Sequence, residues 1–175
     1  DNYIKEFIPK LSLFLSPNKS DNIRTLDRKI NNTNIFSTNR LGLSESLEGG
    51  QSLTLGTEYN LNKSDGSNIF QIDLAQIYRA NDENNLPTKT SMNNKVSNLF
   101  GDVKLNANQY LDFEYNFALD DNFKTLNYNM IKSTFSINNF VTSFEFLEEN
   151  NIMGSNSYLS NETSLALDNN SKILF

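Results

Sequence analysis

A strict alternation of apolar and polar residues is the feature that most constrains this sequence. In residues 110–119, YLDFEYNFAL, an apolar or aromatic residue occupies every second position, and acidic or amide residues stand between most of them. A period of two predicts a β-strand, because successive side chains of a strand point to opposite faces. The apolar face of this strand meets either a protein core, as in a soluble sandwich, or lipid, as in an outer-membrane barrel.

The same alternation recurs along the whole chain. It covers residues 7–15, 52–61, 68–78, 98–106, 110–119, 124–130 with a continuation, 140–147 and 158–167, and another strand starts at 171–175. These segments have roughly nine to eleven residues, the length with which a tilted strand crosses a hydrocarbon core, whereas strands of ordinary sheets average about five or six. The sequence predicts an all-β fold, an antiparallel up-and-down meander of about eight to nine long strands that forms part of a transmembrane outer-membrane β-barrel.

The connections between the strands differ in length. Short links are predicted at 62–67, 106–108, 136–139 and 168–170, and longer polar links at 16–50, 80–97 and 150–157, with 120–122 as a short exception among them. Successive turns of a meander lie at opposite ends of the sheet, so the short links gather at one end, as periplasmic turns do in outer-membrane barrels. Residues 1–175 are therefore predicted to be a partial barrel domain with long external loops near 16–50 and 80–97.

The charged residues inside the strands follow the same parity. An Arg or Lys facing lipid at mid-bilayer costs about 2–4 kcal/mol, so the polar face is predicted to line the lumen. The candidate lumen-facing residues are Glu58, Asp73, Asp102, Lys104, Asp112, Glu114, Glu145 and Glu162. Lys132 shares the parity of Tyr128 and Met130, taken as the apolar face, which predicts either a strand end or a bulge there. Such an inner face is either a path for a charged or amphipathic cargo or a surface that only needs hydration.

The composition excludes several functional classes. The chain has no cysteine and no histidine, which removes disulfides, thiolate and imidazole metal sites, cysteine nucleophiles and Ser-His-Asp triads. Most familiar enzyme chemistry is removed with them, and we expect no enzyme, no catalytic residue and no cofactor. The net charge of −6 argues against a nucleic-acid partner, because binding phosphates requires a basic patch. No stretch approaches the ~18 consecutive apolar residues of a membrane helix.

A more specific motif lies between the first two predicted strands. Residues 31–61 read NNTNIFSTNRLGLSESLEGGQSLTLGTEYNL. This stretch resembles the barrel domain of the LptD family of lipopolysaccharide-assembly proteins, also called organic solvent tolerance proteins. In that family an external loop carries an Asn-Ile/Leu-Phe-Ser-x-Asn-Arg pattern, and a Glu-x-Gly run then enters the next strand. The matching residues are Asn34, Ile35, Phe36, Ser37, Asn39, Arg40, Glu48 and Gly50. A later Tyr78-Arg79 pair followed by Leu86-Pro87 also agrees.

The resemblance implies both a location and a function. It implies a piece of a larger barrel in the outer membrane of a Gram-negative bacterium, within a translocon that assembles lipopolysaccharide into the outer leaflet. The implied partners are lipopolysaccharide, a plug lipoprotein similar to LptE, the periplasmic lipopolysaccharide-transport bridge and outer-membrane lipid. The motif residues then either contact the cargo or form a structural lid over the barrel mouth.

Two other interpretations remain open on sequence alone. One is a complete eight-stranded outer-membrane barrel with a structural or adhesion role, for which the aromatic Phe175 is a fitting last residue. The other is a soluble lipocalin-like barrel, whose apolar face would point inward and whose charges would point outward.

Overall fold

Nine β-strands form a single sheet. The structure is a computed structural model that describes residues 3–26, 28–42, 48–151, 154–167 and 172–174. The strands are β1 Tyr3–Ser16, β2 Gly50–Lys63, β3 Asn68–Arg79, β4 Leu99–Asn108, β5 Leu111–Leu119, β6 Leu126–Ile137, β7 Phe140–Asn151, β8 Gly154–Ala166 and β9 Lys172–Leu174. A short 3₁₀ helix at Thr88–Thr90 interrupts the β3–β4 connection. Among the described residues, no helix has the length and apolar character needed to span a membrane.

The strands follow one another in chain order, and every neighbouring pair is antiparallel. The all-β meander prediction is therefore confirmed. In the described ranges β1 and β9 are not paired with each other, so the sheet is open. The alternative of a closed eight-stranded barrel is not the fold observed.

Two tight turns at the short links 62–67 and 136–139 contain residues with positive φ. Gly66 follows Asp65 in the β2–β3 turn with a φ of 85°, and Asn138 joins β6 to β7 with a φ of 52°. Glycine adopts positive φ without steric cost, and asparagine tolerates it better than most residues. These residues therefore allow the chain to reverse within a few positions.

Some predicted boundaries are wrong. The predicted polar loop at 150–157 is largely strand, because β7 continues to Asn151 and pairs through to β8 at Gly154. Polar side chains do not prevent pairing, since the ladder bonds come from the backbone. The predicted strand start at 124 also moves to Leu126. The predicted link at 168–170, with Ser171 and Phe175, lies outside the described residues.

The registers define two faces of the sheet, because directly paired residues point the same way. Glu58, Asp73 and Asp102 are successive partners across β2, β3 and β4 and therefore share a face. The described residues of the β1–β2 loop, 17–49, and of the β3–β4 loop, 80–98, pack on this face, which we call the covered face. The other face, the open face, carries the alternating leucines and aromatics of the strands.

The hydrophobic core lies between the two long loops and the covered face. The loops contribute Ile23, Ile30, Ile35, Leu41, Leu86 and Met92, and the strands contribute Ala75, Ile77, Phe100 and Ala118. Within the part of the chain that the structure describes, no loop covers the open face, and Leu11 on β1 is 70% exposed. A wide apolar surface of this kind indicates contact with something other than water, and the predicted orientation of a soluble lipocalin-like barrel is not observed.

Candidate functional site

Two arginines and one glutamate form a buried cluster where the β1–β2 loop meets the sheet. We call Arg40, Glu48 and Arg79 the loop anchor. The Nε atom of Arg40 donates to Oε2 of Glu48 at 2.7 Å, and the Nη2 atoms of both arginines pair with Oε1 of the same glutamate. All three side chains are at most 5% exposed. The cluster therefore joins the loop to the end of β3 through one carboxylate.

Neutral oxygens satisfy further guanidinium donors of the anchor. Arg40 donates to the hydroxyls of Ser52 at 2.8 Å and Thr54 at 3.1 Å on β2. Arg79 donates to the carbonyl of Gly49 at 3.2 Å. Buried charges persist only when they are paired and hydrogen-bonded, so these partners make a two-to-one ratio of arginine to glutamate tolerable. Gly50 then turns the chain into β2 with a φ of 83°, a conformation that favours glycine.

A second contact fixes the same loop sterically. Phe36 packs over Gly56 on the covered face of β2, where an ideal Cβ would lie 2.7 Å from Cζ of Phe36 and 2.8 Å from the carbonyl oxygen of Leu74. Glycine at this position leaves room for the ring. The neighbouring Ile35 is fully buried in the core. The apolar pair of the motif therefore holds the loop against the sheet.

The polar members of the motif shape the loop itself. Asn34 donates from Nδ2 to the carbonyl of Lys29 at 2.9 Å, and its Oδ1 accepts from the backbone N–H of Asn31 at 3.0 Å. The hydroxyl of Ser37 accepts from the backbone N–H of Asn39 at 3.2 Å. Such local bonds are what Asn and Ser contribute to turns. The motif is assembled as a scaffold, and direct cargo contact by its residues stays a prediction.

A partly exposed charge cluster lies further along the covered face. We call Lys10, Glu58 and Asp73 the lysine triad. Nζ of Lys10 lies 2.6 Å from Oε2 of Glu58 and 3.0 Å from Oδ1 of Asp73. Asn60 and Gln71 donate to these carboxylates at 2.6 Å and 2.7 Å. Lys10 is thus the cation between two carboxylates that neighbouring strands place side by side.

Charges of alternating sign cross four strands next to the triad. Lys104, Glu114, Lys132 and Glu145 are successive register partners from β4 to β7. Lys132 therefore lies on the covered face in the middle of β6, and the expected strand end or bulge at this residue is wrong. The irregularity between β5 and β6 lies between Ala118 and Leu119 instead. Facing opposite charges stabilise neighbouring strands, and the row gives the face both signs of charge.

The remaining lumen candidates also belong to the covered face. Asp112 is paired with Asn106 and lines a small groove with Lys104, Glu114 and Lys132. Asp102 is paired with Asp73 and Asn116, and Glu162 is paired with Ser143 and exposed. The register thus brings all eight candidates to one face. In the described part of the chain, no group of acidic side chains is arranged to hold a metal ion.

Sequence reasoning missed three cations that organise these contacts. Lys10 has the parity of the polar face, which was the available signal for its role. Arg79 belongs to a motif in the sequence, but nothing in the sequence pairs it with Glu48. Lys29 pairs with Glu149 on β7 and lies 5.2 Å from the ring centroid of Tyr128. No local pattern predicts a contact across 120 residues.

A match to one protein family covers almost the whole length of the chain. The family model described as LptD, LPS transport system D, matches residues 2–173. The chain belongs to the LptD family. The resemblance seen in residues 34–59 is therefore confirmed, although no curated protein sequence matches the chain.

Membership of the LptD family gives the covered face a general context. The family serves lipopolysaccharide transport at the outer membrane of Gram-negative bacteria, and its proteins are transport and assembly proteins. In this LptD chain the loop anchor and the Phe36 contact bring the motif residues together beside a charged face. This arrangement can hold the β1–β2 loop in one position over the polar covered face.

Proposed function

We propose that this chain is part of the outer-membrane translocon that assembles lipopolysaccharide into the outer leaflet. The carrying observation is the division between the two faces, with eight charged candidates on the covered face and exposed leucines and aromatics on the open face. The described strands β1 to β8 have between 9 and 14 residues, which suits a tilted crossing of the membrane.

In this proposal the covered face lines a hydrated lumen. Lipopolysaccharide is amphipathic, with a charged sugar portion and acyl chains. Mixed charges such as the Lys104 to Glu145 row keep water on that face and offer hydrogen-bond partners to sugars, while the open face meets lipid. The acyl chains leave sideways into the membrane, where they stay out of water. The chain's task is then binding, hydration and steric guidance, without covalent chemistry.

Further strands complete the proposed barrel. An open sheet edge in lipid leaves backbone N–H and C=O groups unpaired, at a cost of several kcal/mol each. We therefore propose that the described strands form part of a larger closed barrel, and that the loops at 17–49 and 80–98 are external. The proposed partners are a plug lipoprotein similar to LptE and the periplasmic bridge that delivers lipopolysaccharide.

Site-specific crosslinking tests the proposed path. A photo-crosslinking amino acid replaces Thr134 on the covered face or, in the matched control, Phe135 on the open face of β6. Position 134 is near the short-turn end of the sheet, where the open face should meet phospholipid. We expect crosslinks to lipopolysaccharide at 134 that require ongoing transport, and none at 135. Equal crosslinking at both positions, or none at 134, would contradict the proposal.

A further inference from the structure

The open face of strands β1 to β8 carries very few charges. Directly paired residues point to the same face, and on this basis the charged residues on the open face of these strands are Lys5, Lys63 and Glu148. Lys63 is the last residue of β2, and Lys5 is the third residue of β1, whose first residue is paired with Lys63. Glu148 lies toward the loop end of β7. Both open-face cations are therefore at the short-turn end of the sheet.

The two lysines are close neighbours. Lys5 is paired with Leu61, and Lys63 is paired with Tyr3, so the lysines occupy diagonal positions of one antiparallel pair. Diagonal positions on one face are about 7–8 Å apart, which is within reach of long side chains. Both lysine side chains are exposed. A lysine binds phosphate as a point charge with three donors, and these two ammonium groups can therefore approach one phosphate together.

The lysine pair keeps a net positive charge in its described surroundings. Neither lysine forms a salt bridge with another described residue. Asp65 in the adjoining turn acts electrostatically on Lys63, but it is one anion beside two cations, and its carboxylate accepts two hydrogen bonds from Ser67. Glu6 follows Lys5 in the chain and points to the covered face. An anionic ligand complements this charge.

Apolar and aromatic side chains lie beside the lysines on the open face. Leu61 is opposite Lys5, and the next pair on this face is Phe7 with Tyr59. Phe7 is 69% exposed, so its ring is available to acyl chains. A lysine on a lipid-facing surface is costly at the middle of a bilayer and costs little near its edge, where the alkyl stem stays in lipid and the ammonium reaches the headgroups. The end of the strands is therefore the appropriate place for these two cations.

We propose that Lys5 and Lys63 bind the phosphate of an anionic phospholipid, such as phosphatidylglycerol, in the inner leaflet of the outer membrane. This inference rests on the proposed function for the contact of the open face with lipid and for the periplasmic position of the short turns. The phosphate lies between the two ammonium groups, and the acyl chains lie along the open face over Leu61 and Phe7. The bound lipid fixes the depth of β1 and β2 in the membrane.

Native mass spectrometry of the full-length protein with its natural partner tests the site. The protein is held in detergent micelles that contain equal amounts of phosphatidylglycerol and phosphatidylethanolamine. We expect preferential retention of phosphatidylglycerol, because the ammonium group of phosphatidylethanolamine offsets the charge of its phosphate. Equal retention of both lipids would overturn the proposal. Glycerol 3-phosphate at the same concentration should not displace the lipid, since it has no acyl chains, and displacement by it would overturn the lipid assignment.

Variants locate the binding. Lys5→Gln and Lys63→Gln should each lower the affinity for phosphatidylglycerol about fivefold, which corresponds to about 1 kcal/mol for a lysine near a charged membrane surface. Lys63→Arg keeps the charge and should keep the affinity. Lys104→Gln is the matched control, since this lysine is on the covered face, and heat-dependent gel mobility reports whether each variant is folded. An equal loss in Lys104→Gln, or no loss in Lys5→Gln and Lys63→Gln, would overturn the location.

The crosslinking experiment separates this inference from the proposed function. If the two lysines select phosphatidylglycerol as expected but position 134 does not crosslink, the transport path is wrong and the lipid site stands. If position 134 crosslinks but lipid retention does not depend on these lysines, the path stands and the lipid site is wrong.

Discussion

The loop anchor and the lysine triad have mirrored charge compositions. The anchor places one carboxylate between two guanidiniums, and the triad places one ammonium between two carboxylates. The anchor's side chains are at most 5% exposed, whereas those of the triad are 13–33% exposed. Two clusters of three charges on one face therefore differ mainly in their access to water.

That difference in access gives the clusters different roles. A buried charge that loses its partner cannot be solvated by water, so the anchor fixes one geometry of the loop. Arginine suits this role because its planar group offers five donors in fixed directions. The triad stays close to water, where a lysine acts as a compact, hydrated point charge. It sets the charge of the face more than the shape of the fold.

Glu48→Gln should have the largest effect, because it leaves two guanidiniums buried without an anion. We expect the free energy of unfolding to fall by about 3–5 kcal/mol, the cost of breaking a buried pair. Trypsin should also cut the released loop at Lys19, Arg24 or Arg28. Urea unfolding followed by gel mobility measures the first effect, and digestion of the folded protein measures the second.

Glu58→Gln is the matched control for that experiment. It removes one of two carboxylates from the lysine triad, and Asp73 remains to pair with Lys10. The loop should stay resistant to trypsin. Equal loop cleavage in both variants would show that the two clusters do not differ as their burial indicates.

Gly56→Ala tests whether the loop is held by shape as well as by charge. The added methyl group would meet the Phe36 ring and the carbonyl of Leu74, and overpacking of this kind costs about 1–3 kcal/mol. Phe36→Leu should recover part of that loss when combined with it. A double-mutant cycle by urea unfolding measures the coupling, and purely additive effects would exclude the steric contact.

Lys10→Met should have a smaller effect, of about 0.2–1 kcal/mol, as found for exposed ion pairs. The substitution leaves Glu58 and Asp73 side by side without their cation. Because salt screens partly exposed charges, the difference from the unmodified protein should shrink as ionic strength rises. The Glu48→Gln difference should not, and a similar salt dependence for both would remove the distinction between the clusters.

The sequence predicts the strands, and which charged residues share one face of the sheet, better than it predicts the contacts of the loops. Period two fixes the parity of a residue such as Glu114 without knowledge of its partners. The meeting of Arg40 with Arg79 depends on how a loop of more than thirty residues folds back, and no local pattern records that. The prediction for Lys132 is wrong because it places Tyr128 and Met130 on the open face. In the structure both lie on the covered face, beneath the β1–β2 loop, so hydrophobic character alone is a misleading signal of orientation.

Substitution of Asp65 should have the smallest effect on stability, because this carboxylate is exposed and lies outside the strands. It therefore serves as a reference for both clusters. Its carboxylate accepts from the Ser67 hydroxyl at 2.6 Å and from the backbone N–H of Ser67 at 2.8 Å, and these bonds hold the pKa of Asp65 below its usual range. A carboxyl group whose pKa is lower in the folded state stabilises the fold above its unfolded pKa, and this contribution disappears as the pH falls through the folded pKa. Asp65→Asn should therefore be slightly less stable than the unmodified protein at neutral pH and equally stable at acidic pH. Urea unfolding at both pH values measures this difference. If Asp65→Asn lowers the free energy of unfolding as much as Lys10→Met does, exposure to water does not determine how much these charged groups stabilise the fold.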